Sequence, residues 1–203
     1  QAIADGAYGK IAVTYVEWAG TSWQRVIVPW TVIATRADAE RVVAQLSAQP
    51  PNSARRTSIS GALEFGSDLF AESGYQGTKR VIDISGDGPN NQGAPVNLVR
   101  DGVVRQGIVI NGLPILIKPS PTFSHLDQYY AQCVTGGPGS FVLPIHAAAE
   151  FSTAIRRKLV LEVSGIQDKP KIMPAEMDAP IDCLLGERDR RFLSDPYFPE
   201  LDR

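Results

Sequence analysis

Residues 81–91, Val-Ile-Asp-Ile-Ser-Gly-Asp-Gly-Pro-Asn-Asn, constrain the fold of this chain more than any other stretch. A short apolar strand, Val81 to Ser85, runs directly into a turn that holds Asp87, two glycines, a proline and two asparagines. In an open α/β sheet, ligands bind in the crevice beyond the carboxyl ends of the strands. A strand that ends on Ser85-Gly86-Asp87-Gly88 therefore delivers a carboxylate where such a fold does its binding. Oxygen ligands of this kind suit a hard divalent cation. Asp and Gly also dominate plain tight turns, so the turn alone leaves both readings open.

The rest of the chain alternates strand and helix. Lys10 to Trp18 and Gln24 to Trp30 are rich in β-branched and aromatic residues and read as a hairpin. Pro29 cannot donate to a ladder, which places the second strand at an edge. Thr35 to Gln49 reads as an amphipathic helix, with Thr35 and Asp38 spaced as a capping box. A second helix runs through Gly61 to about Phe70, with Leu63, Phe65, Leu69 and Phe70 on its apolar face. After the strand Arg80 to Ser85 comes a helix from Ala94 to Gln106, closed by Gly107. Ile108 to Ile117 is almost continuously apolar, as buried parallel strands are. Leu126 to Cys133 reads as a short helix, Phe141 to Ile145 as a last strand and Ala147 to Val163 as a long helix. A hairpin followed by β-α units predicts an α/β fold. It has a mostly parallel central sheet, helices on both faces and one antiparallel edge strand. Val81 to Ser85 reads as central in that sheet.

Composition narrows the function classes. The 203 residues suit one domain with a tail. Residues 1–165 carry the domain, and residues 166–203, broken by Pro170, Pro174, Pro180, Pro196 and Pro199, read as an extended C-terminal tail. Net charge is −2 with no basic block, so nothing points to nucleic acid or an anionic membrane surface. No apolar run approaches the roughly 18 residues of a transmembrane segment. The opening residues Gln1-Ala2-Ile3-Ala4-Asp5 lack the charged start and apolar run of a signal peptide. Neither His125 nor His146 has a metal spacing, and Gly136-Gly137-Pro138-Gly139 lacks the Lys-Ser/Thr of a phosphate cradle, so it reads as a structural loop. No Ser-His-Asp order and no activated cysteine is present. The chain therefore reads as a non-enzyme. The enzymatic alternative is a hydrolase using Asp87, Asp83 or Glu17. Cys133 and Cys183 form either one disulfide in an oxidising compartment or two buried thiols.

The loops together resemble a von Willebrand factor A domain. That family builds a metal site from an Asp-x-Ser-x-Ser on its first strand, a Thr from a later loop and an Asp, usually in Asp-Gly, after its fourth strand. Thr57-Ser58-Ile59-Ser60-Gly61-Ala62-Leu63 resembles the Thr loop, with Ala62 and Leu63 placed as the family's Ala-Leu is. Asp87-Gly88 resembles the Asp-Gly turn. A closer resemblance is to a mostly proteobacterial family of exported A-like proteins of unknown function. Its segments here are residues 11–18, 56–60, 87–91, 110–115, 136–141 and 155–159, which span most of residues 1–165.

The resemblance carries expectations. Thr57 and Asp87, with Ser85 as a weaker third, would ligate Mg2+ or Mn2+. The Asp-x-Ser-x-Ser has no counterpart before the hairpin, and Asp83-Ile84-Ser85 lies inside a later strand. The first central strand is thus expected to be missing from this chain and the metal site to be incomplete: the chain reads as a fragment whose strand was cleaved away, lies outside the given sequence, or comes from another segment or chain. The implied function is cation-assisted protein or ligand binding in the periplasm or outside the cell. The alternative is a structural or accessory subunit of a bacterial envelope or membrane assembly that docks through its tail. Export implies that Cys133 and Cys183 are bridged, pinning the tail to the domain.

Overall fold

The computed structural model describes residues 3, 8–50, 56–117, 123, 125–150, 153 and 180–188. The chain opens with a hairpin of β1 (Ile11–Trp18) and β2 (Gln24–Ile33), paired antiparallel. β2 runs three residues beyond the sequence expectation. The pairing steps from Tyr15 opposite Val28 to Val13 opposite Thr31, so β2 carries an extra residue at Pro29–Trp30. A bulge leaves one residue out of the ladder, which is where a proline without an N–H is tolerated.

Helix α1 (Arg36–Ser47) begins on the expected capping box. The Thr35 hydroxyl accepts from the Asp38 amide, and the Asp38 carboxylate accepts from the Thr35 amide at 2.8 Å and the Ala34 amide at 3.0 Å. These amide donors hold the Asp38 carboxyl at a pKa of about 2. Helix α2 (Ile59–Glu72) starts earlier than its periodicity indicates because Ser58, buried, caps it by accepting from the Gly61 amide at 3.1 Å. Ile59, Ala62 and Leu63 are the buried apolar residues of this helix.

Strand β3 (Arg80–Gly86) pairs in parallel with β4 (Ile108–Pro114) through α3 (Val96–Arg105), with Ile82 opposite Ile110 and Ile84 opposite Gly112. Gly107, at φ 75°, makes the left-handed exit from α3 that a side chain would resist. β4 is buried almost throughout, as its apolar run implies. α2 and α3 pack on each other and on the β3–β4 pair, and Ile59, Leu63, Ile84, Val96, Ile108 and Ile110 form the centre of the core. The α/β class thus holds, with an antiparallel pair and a parallel pair.

Beyond β4 the chain is less regular. The expected helix from Leu126 to Cys133 splits into α4 (Leu126–Tyr129) and a wider π-type turn, Tyr130–Val134. The expected strand Phe141 to Ile145 is reduced to isolated bridges, Gly112 with Val142 and Ile115 with Ile145. Pro114 on β4 interrupts the ladder: it has no amide to donate to the Leu143 carbonyl, while Leu143 and Ile145 still donate to Gly112 and Pro114. Of the expected helix Ala147 to Val163, the structure describes a 3-10 turn, Ala148–Glu150, and Thr153 in helical conformation; residues 151, 152 and 154–163 lie outside the described residues. Most of the expected tail, 166–203, does too. Its described portion, 180–188, lies against the domain, where Cys183 is bonded to Cys133 with their Cα atoms 5.5 Å apart. The Gly136–Gly139 loop is structural: Gly136 exchanges backbone hydrogen bonds with Ile110 in both directions.

Candidate binding site at the end of the strands

β1 and β3 end side by side. A Cβ placed on Gly86 would lie 3.3 Å from the Trp18 ring and 2.9 Å from the Tyr130 hydroxyl, so only a glycine lets the two aromatic side chains close over this strand end. The loop after β1 is tied to the start of α2, because the Ser58 amide donates to the Ala19 carbonyl at 2.7 Å. The loop after β3 is tied to the same place: Asn91 donates its amide to the Thr57 carbonyl, and the Thr57 amide donates to Asn91 Oδ1, both at 2.9 Å.

These ties bring the expected residues together. Thr57 is half-buried and Asp87 exposed. The position a Cβ would take on Gly88 is 3.8 Å from Thr57 Oγ1, so the Thr loop and the Asp-Gly turn touch. Ser85, half-buried on β3 opposite Leu113, lines the same cleft. Arg56, immediately before Thr57, has φ 80°, a left-handed conformation that costs a non-glycine residue about 1–2 kcal/mol. Such strain persists where the surroundings over-determine it, often at binding loops.

The donor set is one-sided. Thr57 Oγ1 and the Asp87 carboxylate are hard oxygen donors, but Mg2+ requires six ligands in near-ideal octahedral geometry. Among the described residues, no group of three or more His, Cys, Asp or Glu could hold a metal ion. The residues present fit one wall of a cation site and do not enclose one.

Behind the wall lies a polar hub that sequence reading does not single out. Asn90 is fully buried. Its Oδ1 accepts from the Ser60 amide at 3.0 Å, its Nδ2 donates to the Ala94 carbonyl at 3.2 Å and to Glu187 Oε1 at 2.7 Å, and its amide donates to the Tyr129 hydroxyl at 3.2 Å. The hub couples the start of α2, the Asp87 loop, α4 and the tail. Burial pushes the Tyr129 phenol well above its ordinary range, with the charges of Glu187 and Asp182 adding to it. Tyr130 is raised further, by burial first and then by Tyr129 and the Asp87 carboxylate. Pro89-Asn90-Asn91 reads from sequence as a local turn, and the signal that Asn90 is a hub lies in partners far along the chain.

The match to the family described as proteins of unknown function, DUF1194, runs over residues 1–167. The chain belongs to the DUF1194 family. No curated protein matches it in sequence. Among solved structures it is similar to proximal thread matrix protein 1 from the mussel byssus, with a TM-score of 0.55 and 15% identity over 79% of this chain. That match covers only 37% of the mussel protein. A form of the mussel protein with a zinc-occupied MIDAS motif matches at 0.52 and 16% identity, over 74% of this chain and 35% of that one. The conserved hypothetical protein BatB from Bacteroides thetaiotaomicron matches at 0.53 and 16% identity, covering 74% of this chain and 80% of its own. This DUF1194 member therefore has a von Willebrand factor A-like fold. Among its described residues, no helix is long and apolar enough to cross a membrane.

Proposed function

We propose that this domain is a non-catalytic binding module. It engages a protein partner at the end of the strands where Thr57 and Asp87 meet, with Mg2+ or Mn2+ assisting. The observation that carries the reading is the pair of hydrogen bonds between Thr57 and Asn91, which fixes the Thr loop against the Asp-Gly turn. Thr57 and Asp87 supply one wall of oxygen donors, with Ser85 behind them. In the free domain water fills the remaining positions, as Mg2+ commonly keeps several waters, until a carboxylate of the partner and donors from another segment replace it. The zinc-occupied motif of the mussel protein, on the same fold, supports metal binding at this end of the sheet. The Cys133–Cys183 disulfide supports an oxidising compartment, the periplasm or the cell exterior. In this reading residues 1–165 form the binding domain and 166–203 its tail. A cation that binds the folded state raises thermal stability in proportion to the logarithm of its concentration. Millimolar Mg2+ or Mn2+ is expected to raise the melting temperature, EDTA to reverse the gain, and Asp87→Ala to abolish it. No metal-dependent shift in the unaltered chain would reject cation assistance.

An envelope-assembly subunit docking through the tail is the second reading. Residues 180–188 lie on their own domain, so the docking arm in that case is the rest of the tail. Removal of residues 189–203 is expected to release the assembly while leaving the fold intact.

A further inference from the structure

We propose that the Cys133–Cys183 disulfide is a redox catch on the binding site. While the bond is closed, residues 180–188 hold the loop that carries Asp87 against Thr57. A dithiol that opens the bond releases that segment and loosens the loop. Control of the loop stands on its own contacts; control of cation and partner binding rests on the cation-assisted reading.

Two connections run from this segment to the loop, and both end on Asn90. Glu187 Oε1 accepts from Asn90 Nδ2 at 2.7 Å. The Tyr129 hydroxyl donates to the Cys183 carbonyl at 3.4 Å and accepts from the Asn90 amide at 3.2 Å. This second route starts at the bridged cysteine itself. Asn90 passes the restraint on. Its Oδ1 accepts from the Ser60 amide at 3.0 Å, and its neighbour Asn91 pairs with Thr57. Gly186 sits so close to the loop that a Cβ there would meet the Asn90 carbonyl and the Pro89 ring. The segment therefore braces the loop that brings Asp87 to Thr57.

Without the covalent bond this seat is weak. Residues 185–188 form a single helical turn, with the Arg188 amide donating to the Leu184 carbonyl. The ion pair of Asp182 with Arg188 lies inside the segment, so it adds no hold on the domain. Ile181, Cys183 and Leu185 are only half-buried where they meet the core. Seating also carries a penalty, because Glu187 Oε2 is buried with no hydrogen-bond partner among the described residues. That oxygen regains water when the segment lifts. A tether that keeps the segment at high local concentration offsets such a penalty, and its loss tips the balance toward release.

Opening is a thiol–disulfide exchange. Cys183 is half-buried and Cys133 fully buried, so an incoming thiolate attacks Cys183 Sγ. Cys133 Sγ leaves as a thiolate and takes a proton. The second sulfur of the dithiol then displaces Cys183 Sγ, which takes the other proton. Two electrons pass to the protein, which ends with two thiols, while the dithiol ends as a disulfide.

The test compares the full chain in three states: oxidised, reduced by dithiothreitol and freed of it without air, and reoxidised. Backbone order parameters are measured by NMR, and Mn2+ is titrated by electron paramagnetic resonance. Reduction is expected to lower the order parameters of Ile181, Asn90 and Asn91 from about 0.85 to about 0.6 or below, and to leave those of the β1–β2 ladder unchanged. Mn2+ binding is expected to weaken by about fivefold or more, and reoxidation to restore both. Unchanged order at Asn90 and Asn91 after complete reduction overturns the proposal. So does an equal loss of order across the β1–β2 ladder, which would make the bond a staple of the whole fold. Equal Mn2+ affinity in both states, with the loop loosened, overturns control of binding. An oxidised chain that binds no Mn2+ while its loop still loosens on reduction rejects the cation reading and leaves the catch on the loop standing.

Discussion

Asn90 Nδ2 donates to Glu187 Oε1 at 2.7 Å, across a separation of 97 residues. This bond makes the described tail a support for the loop that carries Asp87. The other Glu187 oxygen is buried with no partner, and a Cβ on Gly186 would fall 2.2 Å from the Asn90 carbonyl oxygen. Glu187→Ala removes one hydrogen bond and is expected to cost about 1 kcal/mol. Gly186→Ala drives a methyl group into backbone and is expected to cost more, because neither segment can yield without breaking the Asn90 bonds. Urea unfolding of the two variants checks the order; equal costs would show that the tail is not seated on Asn90.

Reduction of Cys133–Cys183 opens a loop with a sequence separation of 50 residues. Loop-closure entropy for such a length puts the loss at about 4 kcal/mol. Unfolding with and without reductant measures it. Exchange at the Ile181 amide, which donates to Gln132 Oε1 at 2.9 Å, reports release of the tail. A reduced protein with full stability and an unchanged Ile181 amide would contradict the pinning role.

Ser58→Ala removes the cap of α2 at a buried position and is expected to lower stability by about 1 kcal/mol, up to about 2. Ser58→Asp should recover part of the cap but bury a charge, so Ser58→Thr is the better rescue. A loss as large for Thr as for Ala would argue that packing, and not capping, holds the residue.

The Tyr130 hydroxyl is buried with no hydrogen-bond partner, and burial raises its pKa far above the ordinary 10.0 of a tyrosine. Tyr130→Phe removes an unsatisfied polar group and is expected to be neutral or stabilising by about 1 kcal/mol. The sign with pH follows. A raised folded-state pKa means that stability is whole below pH 10.0 and falls as pH rises above it, because only the unfolded chain ionises there. Tyr129 acts in the same direction. Stability measured against pH in the alkaline range should fall less steeply in Tyr130→Phe than in the parent; parallel curves would refute the assignment.

Elements with a strong period are legible in the sequence, and long-range features are not. The hairpin, the Thr35–Asp38 box and the parallel pair around α3 follow from alternation, caps and glycine placement. β2 continues past Pro29 because the bulge absorbs the missing donor, a tertiary detail that no local pattern specifies. Phe141 to Ile145 has strand composition, yet the missing amide of Pro114 on the neighbouring strand leaves it only isolated bridges. Thr57 and Asp87 are found by family resemblance, and their approach depends on Asn91, whose role lies in its pairing with the Thr57 backbone. Asn90 escapes sequence reading because asparagine in a Gly-Pro-rich run reads as a turn, while its half-buried partner Glu187 stands near the far end of the chain.

The division of the strands into two pairs also sets how this chain can fold. β1 and β2 meet across residues 19–23, and β3 and β4 across the single helix α3, so each pair is built mostly from near-neighbour contacts. A hairpin such as β1–β2 closes in about 1–10 μs, whereas the parallel β3–β4 pair waits on α3 and forms more slowly. Among the described residues, contacts that join the two pairs include the Ser58–Ala19 hydrogen bond, the Thr21 amide donating to Gln92 Oε1 at 3.2 Å, the Trp30 indole donating to the Leu69 carbonyl at 3.0 Å with its ring against Phe70, and Trp18 against Gly86. Trp18 and Trp30 span the two pairs, so substitutions there are expected to weaken the docking of one pair on the other while leaving each pair's own ladder in place.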